Sequence, residues 1–264
     1  MSLKLKSGFT FDYDNLYGEG KVTEADLKSY EEDLKKAHEA MKVMRETGFI
    51  RAHLSKDGEP EKVLFSQTPY VEEGHINSPS SLKRLQELTD HVKGNVDVVV
   101  SMGIGGSYLG NKVLFDVQCG AYWNELTKEE RNGFPKVYFS GNNIDPRSTG
   151  DLIHHLETES KILKYHEKRN LKVLLLVISK SGGTLDTMSN FMVVYDALQK
   201  YPGIDVEVIA VTDPNMEKQT LLKKLAIEKG WPQFAVPDGV GGRFTVFTEV
   251  GLTLARSEEH TSEL

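Results

Sequence analysis

The chain has 264 residues, 39% of them hydrophobic and 27% charged, with a formal net charge of −7. That length holds one large domain or two small ones with ample core. The negative balance excludes nucleic acid as the main partner, because phosphate backbones need a basic footprint, but a local positive pocket can still take a small anion.

The opening stretch, Met1 to Lys6, lacks the apolar core of a secretory signal, and no apolar run approaches the ~20 residues of a membrane span. With a single cysteine, Cys119, no internal disulfide can form and a reducing cytoplasm is expected, without a membrane partner. Cys119 sits in a helical stretch with no motif around it and reads as a half-buried core thiol.

In chain order, Thr23 caps a helix that ends near Gly48. Its Leu27, Tyr30, Leu34, Ala37, Met41 and Met44 form one apolar stripe, expected to be a packing face. A partner-binding coiled coil is the alternative, but the pattern stops before a long heptad array builds up. Residues 58–79 read as irregular, with one short strand over 63–65. Ser78 caps a second helix with Pro79 at its first position, and Leu82, Leu85, Leu88 and Val92 face one way. From here the chain alternates. Strands are expected over 97–102, 137–140, 173–178, 206–212 and 234–236. Helices are expected from Ser107, behind the Asp145-Pro146 cap, over 184–199 and over 217–230. Such alternation implies an α/β fold with a parallel sheet covered by helices on both faces. Ligands on such sheets bind at the carboxyl ends of strands.

Two of these strands run straight into turns of glycine and serine at that end. Val98-Val99-Val100-Ser101-Met102 leads to Gly103-Ile104-Gly105-Gly106-Ser107. The run over 173–178 leads to Ser179-Lys180-Ser181-Gly182-Gly183-Thr184. Each turn offers backbone N–H groups at a helix N-terminus, where the helix dipole and nearby hydroxyls attract an anion. Glycine lets the backbone approach a phosphate closely. The first turn has the wrong spacing for the dinucleotide fingerprint G-x-G-x-x-G, and alone it could serve shape only. The second offers three hydroxyls. It is not a Walker loop, since no Gly-Lys-Ser/Thr ends it. Lys180 either adds charge or points outward while its N–H binds. Val240-Gly241-Gly242-Arg243-Phe244-Thr245 adds an arginine that can stabilise negative charge during a reaction. The eight histidines form no metal signature, and no metal or cofactor is implied.

The turn at 103–107, the Ser140-Gly141-Asn142 turn, the segment 179–187, Val211-Thr212-Asp213 and the segment 241–244 resemble those of glucose-6-phosphate isomerases of the compact bacterial type. They occur in the family's order and spacing, and the resemblance covers residues 1–255. It implies αβα sandwiches on five-stranded parallel sheets, the sugar-isomerase domains, with N-terminal helices. Residues 1–50 would form the helical segment, 51–236 the first sugar-isomerase domain and 237–255 the start of a truncated second one. The implied activity interconverts glucose 6-phosphate and fructose 6-phosphate through an enediolate, in glycolysis and gluconeogenesis. The full-length protein would be a homodimer. By resemblance Gly106 and Ser107 contact the substrate. Ser179, Lys180, Ser181 and Thr184 hold its phosphate, with Gly182 and Gly183 completing the loop, and Arg243 stabilises the intermediate.

Two positions depart from the family pattern: Asp186 stands where glutamate is usual, and Glu249 where a small residue or proline is usual. The tail over 256–264 is polar and matches the translation of a common sequencing adapter, so it reads as an assembly artefact. The family's glutamate base, ring-opening histidine and C-terminal lysine are then expected beyond Ala255, and the chain alone is expected to be inactive. Phe244, Val246, Phe247, Val250, Leu252 and Leu254 are expected to lack a core and to expose an apolar patch. A non-catalytic phosphosugar sensor is the alternative, although the N-terminal helices lack a basic reading surface for DNA. A dinucleotide-dependent oxidoreductase is a further option.

Overall fold

The computed structural model describes residues 2–18, 20–54, 58–215, 217 and 219–255, so the tail over 256–264 lies outside the described residues. The chain divides into two units, Met1–Val63 and Leu64–Leu264. In the first, β1 (Ser2–Lys4) and β2 (Thr10–Asp12) form an antiparallel hairpin. Next come α1 (Glu24–Ser29) and α2 (Glu31–Thr47), then a second hairpin of β3 (Phe49–Leu54) and β4 (Pro60–Lys62). Thr23 starts α1 through a capping box: its Oγ1 accepts from Asp26 N at 3.2 Å, and its own N–H donates to the Asp26 carboxylate at 2.8 Å. The expected single helix is broken at Tyr30, whose backbone leaves helical geometry (φ −95°, ψ 0°). The apolar stripe is not a buried face. Leu27, Tyr30, Leu34 and Met41 are exposed, because the unit's other elements are too short to cover a 17-residue helix.

The second unit opens with a 3-10 turn at Phe65–Gln67, where a strand was expected over 63–65. Three apolar residues set no period, and Leu64 N–H donates to Gly239 O at 2.8 Å instead of joining a ladder. Then follow α3 (Pro79–Asn95), β5 (Val98–Met102), α4 (Gly106–Gln118), β6 (Lys136–Ser140) and α5 (Pro146–Glu167). The chain continues through β7 (Leu171–Ile178), α6 (Leu185–Lys200), β8 (Ile204–Thr212), α7 (Leu221–Lys229) and β9 (Gln233–Ala235). A 3-10 turn at Gly242–Phe247 leads into α8 (Glu249–Ala255). Ser78 and Asp145 cap α3 and α5 as expected, each with proline behind it. Helix α7 is shorter than expected at its start, because Thr220 Oγ1 accepts from Lys223 N and sets the cap there.

The five strands form one parallel sheet in the order β6-β5-β7-β8-β9. Side chains alternate across a strand, so each apolar run feeds two cores. Val99, Leu174, Leu176 and Val211 pack with α3, α4 and α8, whereas Val98, Val100, Leu175 and Val208 pack with α5, α6 and α7. The result is an αβα sandwich, and burial on both faces is why these strands read as continuous apolar runs. Each fully buried leucine or valine contributes about 1.5–3 kcal/mol.

The expected bare patch at the C-terminal end is only partly present. Val250 and Leu254 are buried in the first core and Leu252 packs against it. Phe244 and Phe247 remain exposed. The reason is that α8 lies on α3 and α4 of the same unit. Glu249 is likewise accommodated: one carboxylate oxygen accepts from Ala235 N at 2.5 Å and the other faces Arg84 Nη1 at 3.5 Å. Burial pushes its pKa up, partly opposed by the Ala235 N–H and Arg84. No described helix is long and apolar enough to cross a membrane. Cys119 ends α4 half-buried against the first core.

Candidate functional site

In the sheet order, β5 sits between β6 and β7. The chain leaves β5 toward one side to form β6 and returns to the other side to form β7. That reversal opens a crevice beyond the carboxyl ends of β5 and β7, the place where open parallel sheets bind ligands. Both glycine-serine turns lie there, one after each strand.

The first turn fits its surroundings only as glycine. A Cβ on Gly106 would sit 2.2 Å from Gly242 O and 2.4 Å from Gly242 C. The turn therefore rests directly on the backbone that precedes Arg243. Thr245 reinforces the contact: it is buried, and its Oγ1 donates to Gly242 O at 2.8 Å and approaches Gly106 O at 3.4 Å.

The second turn is held from below. Ser179 N–H donates to Val211 O at 2.9 Å, and Thr212 Oγ1 donates to Ser179 O at 2.8 Å. Gly182 has φ +60°, and a Cβ there would meet Thr220 Oγ1 at 2.1 Å, so a side chain is excluded by both conformation and space. Above this base the hydroxyls converge. Ser179 Oγ and Thr184 Oγ1 are 2.9 Å apart, Ser181 Oγ and Thr184 Oγ1 3.2 Å, and Gly183 N–H donates to Ser181 Oγ at 3.4 Å. Thr184 sits at the N-cap of α6 but makes no side-chain cap bond. Its hydroxyl points into the serine cluster instead.

A cavity of about 300 Å³ joins the two turns and is lined by Gly106, Ser107, Ser179, Lys180, Ser181 and Thr184, together with Thr245 and apolar residues. Six of the expected site residues thus share one wall. Gly182 and Gly183 shape the loop without lining the cavity. Arg243 stands one residue beyond the lining residue Gly242, exposed and outside the wall. Lys180 lines the cavity while its Nζ lies 3.5 Å from Asp238 Oδ1 in an exposed pair, which contributes little stability and leaves the ammonium at the rim. Both α4 and α6 start at the crevice, so their dipoles and first-turn N–H groups favour an anion there. Among the described residues the lining contains one cation and no carboxylate or imidazole. Nor do those residues place three or more His, Cys, Asp or Glu side chains to hold a metal ion.

The far wall was not legible beforehand. Val236, Val240, Thr245 and Val250 close it, although only Val236 was expected in a regular element, the strand over 234–236, and nothing in the sequence set these four residues together. A larger hollow of about 550 Å³ lies along the β8–β9 edge against α3, and its lining includes none of the turn residues.

A family model described as phosphoglucose isomerase matches residues 80–260. Similar curated proteins include a glucose-6-phosphate isomerase of Fusobacterium nucleatum subsp. nucleatum, 37% identical over 171 residues, covering 64% of this chain and 35% of the relative. Another, of Clostridioides difficile strain 630, is 36% identical over 172 residues with the same coverage. The chain therefore spans about a third of the length of the curated relatives it matches. Among solved structures, a hypothetical protein from Thermus thermophilus aligns with TM-score 0.51 at 25% identity, covering 69% of this chain and 38% of that one. With the family model matching more than half of its residues, the chain belongs to the phosphoglucose isomerase family.

Proposed function

We propose that the crevice binds the phosphate and proximal hydroxyls of a hexose 6-phosphate, as part of an aldose–ketose isomerase that interconverts glucose 6-phosphate and fructose 6-phosphate. The observation that carries this reading is the convergence of both turns on one cavity at the sheet's reversal point. The serine and threonine hydroxyls and the N-terminus of α6 offer hydrogen bonds to phosphate oxygens, while Gly106 and Ser107 face the sugar. In the isomerisation the ring opens, a base removes the proton on C2, and a proton is delivered to C1. Negative charge develops on the enediolate between those steps. Arg243 is assigned to that charge, where an oxyanion-stabilising donor is worth roughly 3–4 kcal/mol.

Among the described residues the cavity lining offers no carboxylate or imidazole to serve as the proton-transfer base. We therefore assign the chain the phosphate-binding part of the reaction and propose that turnover requires the remainder of a longer, cytoplasmic homodimer. The same observation favours a second reading, phosphosugar binding without turnover. Proton NMR of glucose 6-phosphate in D2O separates the two when run on the full-length protein: loss of the C2 proton signal is expected of the isomerase, and its retention of the second reading. Binding without loss of the C2 proton signal is expected for this chain alone, and exchange at C2 would show that a base is present. Tighter binding of NAD than of the sugar phosphate would overturn both readings.

A further inference from the structure

The Arg243 turn is clamped from a segment far away in sequence. Between Leu64 and Ser78 the chain runs along residues 239–248 and touches them at three points. Leu64 N–H donates to Gly239 O at 2.8 Å. The Phe65 ring stacks on Phe244 with centroids 4.4 Å apart and planes 18° from parallel. Asn77, almost wholly buried, donates from Nδ2 to Thr68 O at 2.6 Å and to Phe247 O at 2.7 Å. One amide group therefore ties the segment's own bend to the far end of the turn that carries Arg243. The bend is itself fixed, with Thr68 Oγ1 donating to Phe65 O at 2.8 Å and Glu72 N–H donating to Asn77 O at 3.1 Å.

We propose that Asn77 is a positioning residue for Arg243: through Phe247 O it fixes the 3-10 turn, and with it the place of the guanidinium beside the crevice. This inference rests on the reading of the crevice as a sugar-phosphate site. It separates two parts of that site. The phosphate turn over 179–184 hangs on the sheet and on Thr212 and Thr220, none of which Asn77 contacts. The Arg243 turn hangs on Gly106 from one side and on Asn77 and Phe65 from the other. Loss of Asn77 should therefore weaken recognition of negative charge at the C1–C2 end of a ligand while sparing phosphate recognition. Because Asn77 Oδ1 has no hydrogen-bond partner among the described residues, the effect is confined to the two bonds that Nδ2 donates.

The test is calorimetric titration of the chain with 6-phosphogluconate, a phosphorylated aldonate whose carboxylate stands at the reacting end, and with inorganic phosphate. For Asn77→Ala the expected result is about a ten-fold loss of aldonate affinity or more, since a misplacement of ~1 Å can cost up to about 100-fold, with phosphate affinity within about two-fold. In an Arg243→Ala background the same substitution should add less than about two-fold, the non-additivity of residues acting through one another. Phe65→Leu, which keeps apolar volume but removes the stacked ring, should act in the same direction even if Asn77→Ala melts early. Equal losses for aldonate and phosphate, or equal effects with and without Arg243, would overturn the assignment and leave Asn77 a structural residue. Wild-type chain that binds phosphate but shows no preference for the aldonate would overturn it while sparing the phosphate site. Wild-type chain that binds neither would overturn the site reading as well.

Discussion

Replacing Gly106 with alanine adds one methyl group at the point where the first turn meets the Arg243 segment. The new Cβ would lie 2.2 Å from Gly242 O, 2.4 Å from Gly242 C and 2.6 Å from Gly242 Cα, where ordinary contact begins near 3.4 Å. The two backbones must therefore separate by roughly 1 Å, and no rotatable side chain can absorb the shift. Overpacking of this kind costs about 1–3 kcal/mol of stability. The functional cost is larger, because a displacement of ~1 Å at a binding constellation can cost about 100-fold. Gly150 in α5 is the control, since a Cβ there meets nothing within 4 Å. Gly150→Ala should stabilise the chain by about 0.5–1 kcal/mol through helix propensity. Urea unfolding and titration with glucose 6-phosphate measure both effects. A Gly106→Ala chain as stable as wild type, binding with the same affinity, would refute the close approach of the turn to Gly242.

Three further outcomes are expected. Ser179→Ala and Thr184→Ala should each weaken phosphate binding by about 0.5–1.5 kcal/mol, and calorimetry on the double variant should show less than the sum, because the two hydroxyls are 2.9 Å apart. At the start of β5, burial raises the Asp97 pKa, but the Arg169 fork, the Lys172 N–H and Lys128 outweigh it and hold the carboxyl below its ordinary 3.8. Asp97→Asn should therefore cost about 1–2 kcal/mol near neutral pH, discounted because Arg169 is partly exposed. That cost should vanish as pH falls below 3.8 through the folded-state value, which denaturation at a series of pH values would show. Glu249 has the opposite sign: its pKa is raised above 4.5, so the wild-type chain should gain stability as pH falls from neutral through that raised value. Glu249→Gln should remove this gain while staying within ~1 kcal/mol of wild type at neutral pH, since Gln can still accept from Ala235 N–H, and thermal melts across pH would reveal either failure.

The sheet and both turns were legible because their signals are local and redundant. Doubly buried strands such as Leu171–Ile178 must be apolar throughout, and among the glycines of the two turns Gly103, Gly106 and Gly182 stand where a side chain would clash. Helix starts at Ser78 and Asp145 were equally plain, since a cap and a proline leave few alternatives. What escaped depends on partners distant in sequence. Whether Leu27 or Leu254 is buried cannot be told from its own helix period: the first lies on a helix without a cover, and the second packs against α3 and α4. Glu249 looked like an anomaly because Arg84 and Ala235 N–H, its partners, lie elsewhere in the chain. The same holds at the site. The hydroxyls and glycines of the crevice announce themselves, whereas the wall from Val236 to Val250 and the Asn77 clamp arise only from tertiary packing.

In the proposed function one crevice, between the ends of β5 and β7, takes the phosphate of a hexose phosphate. Amide chemical shifts of the isotopically labelled chain, followed during titration with glucose 6-phosphate, test it most directly. Saturable shifts are expected at Gly106, Ser107 and the amides from Ser179 to Thr184, reproduced in the second turn by inorganic phosphate. Shifts confined to the hollow along the β8–β9 edge, or none in either turn at saturating ligand, would contradict this.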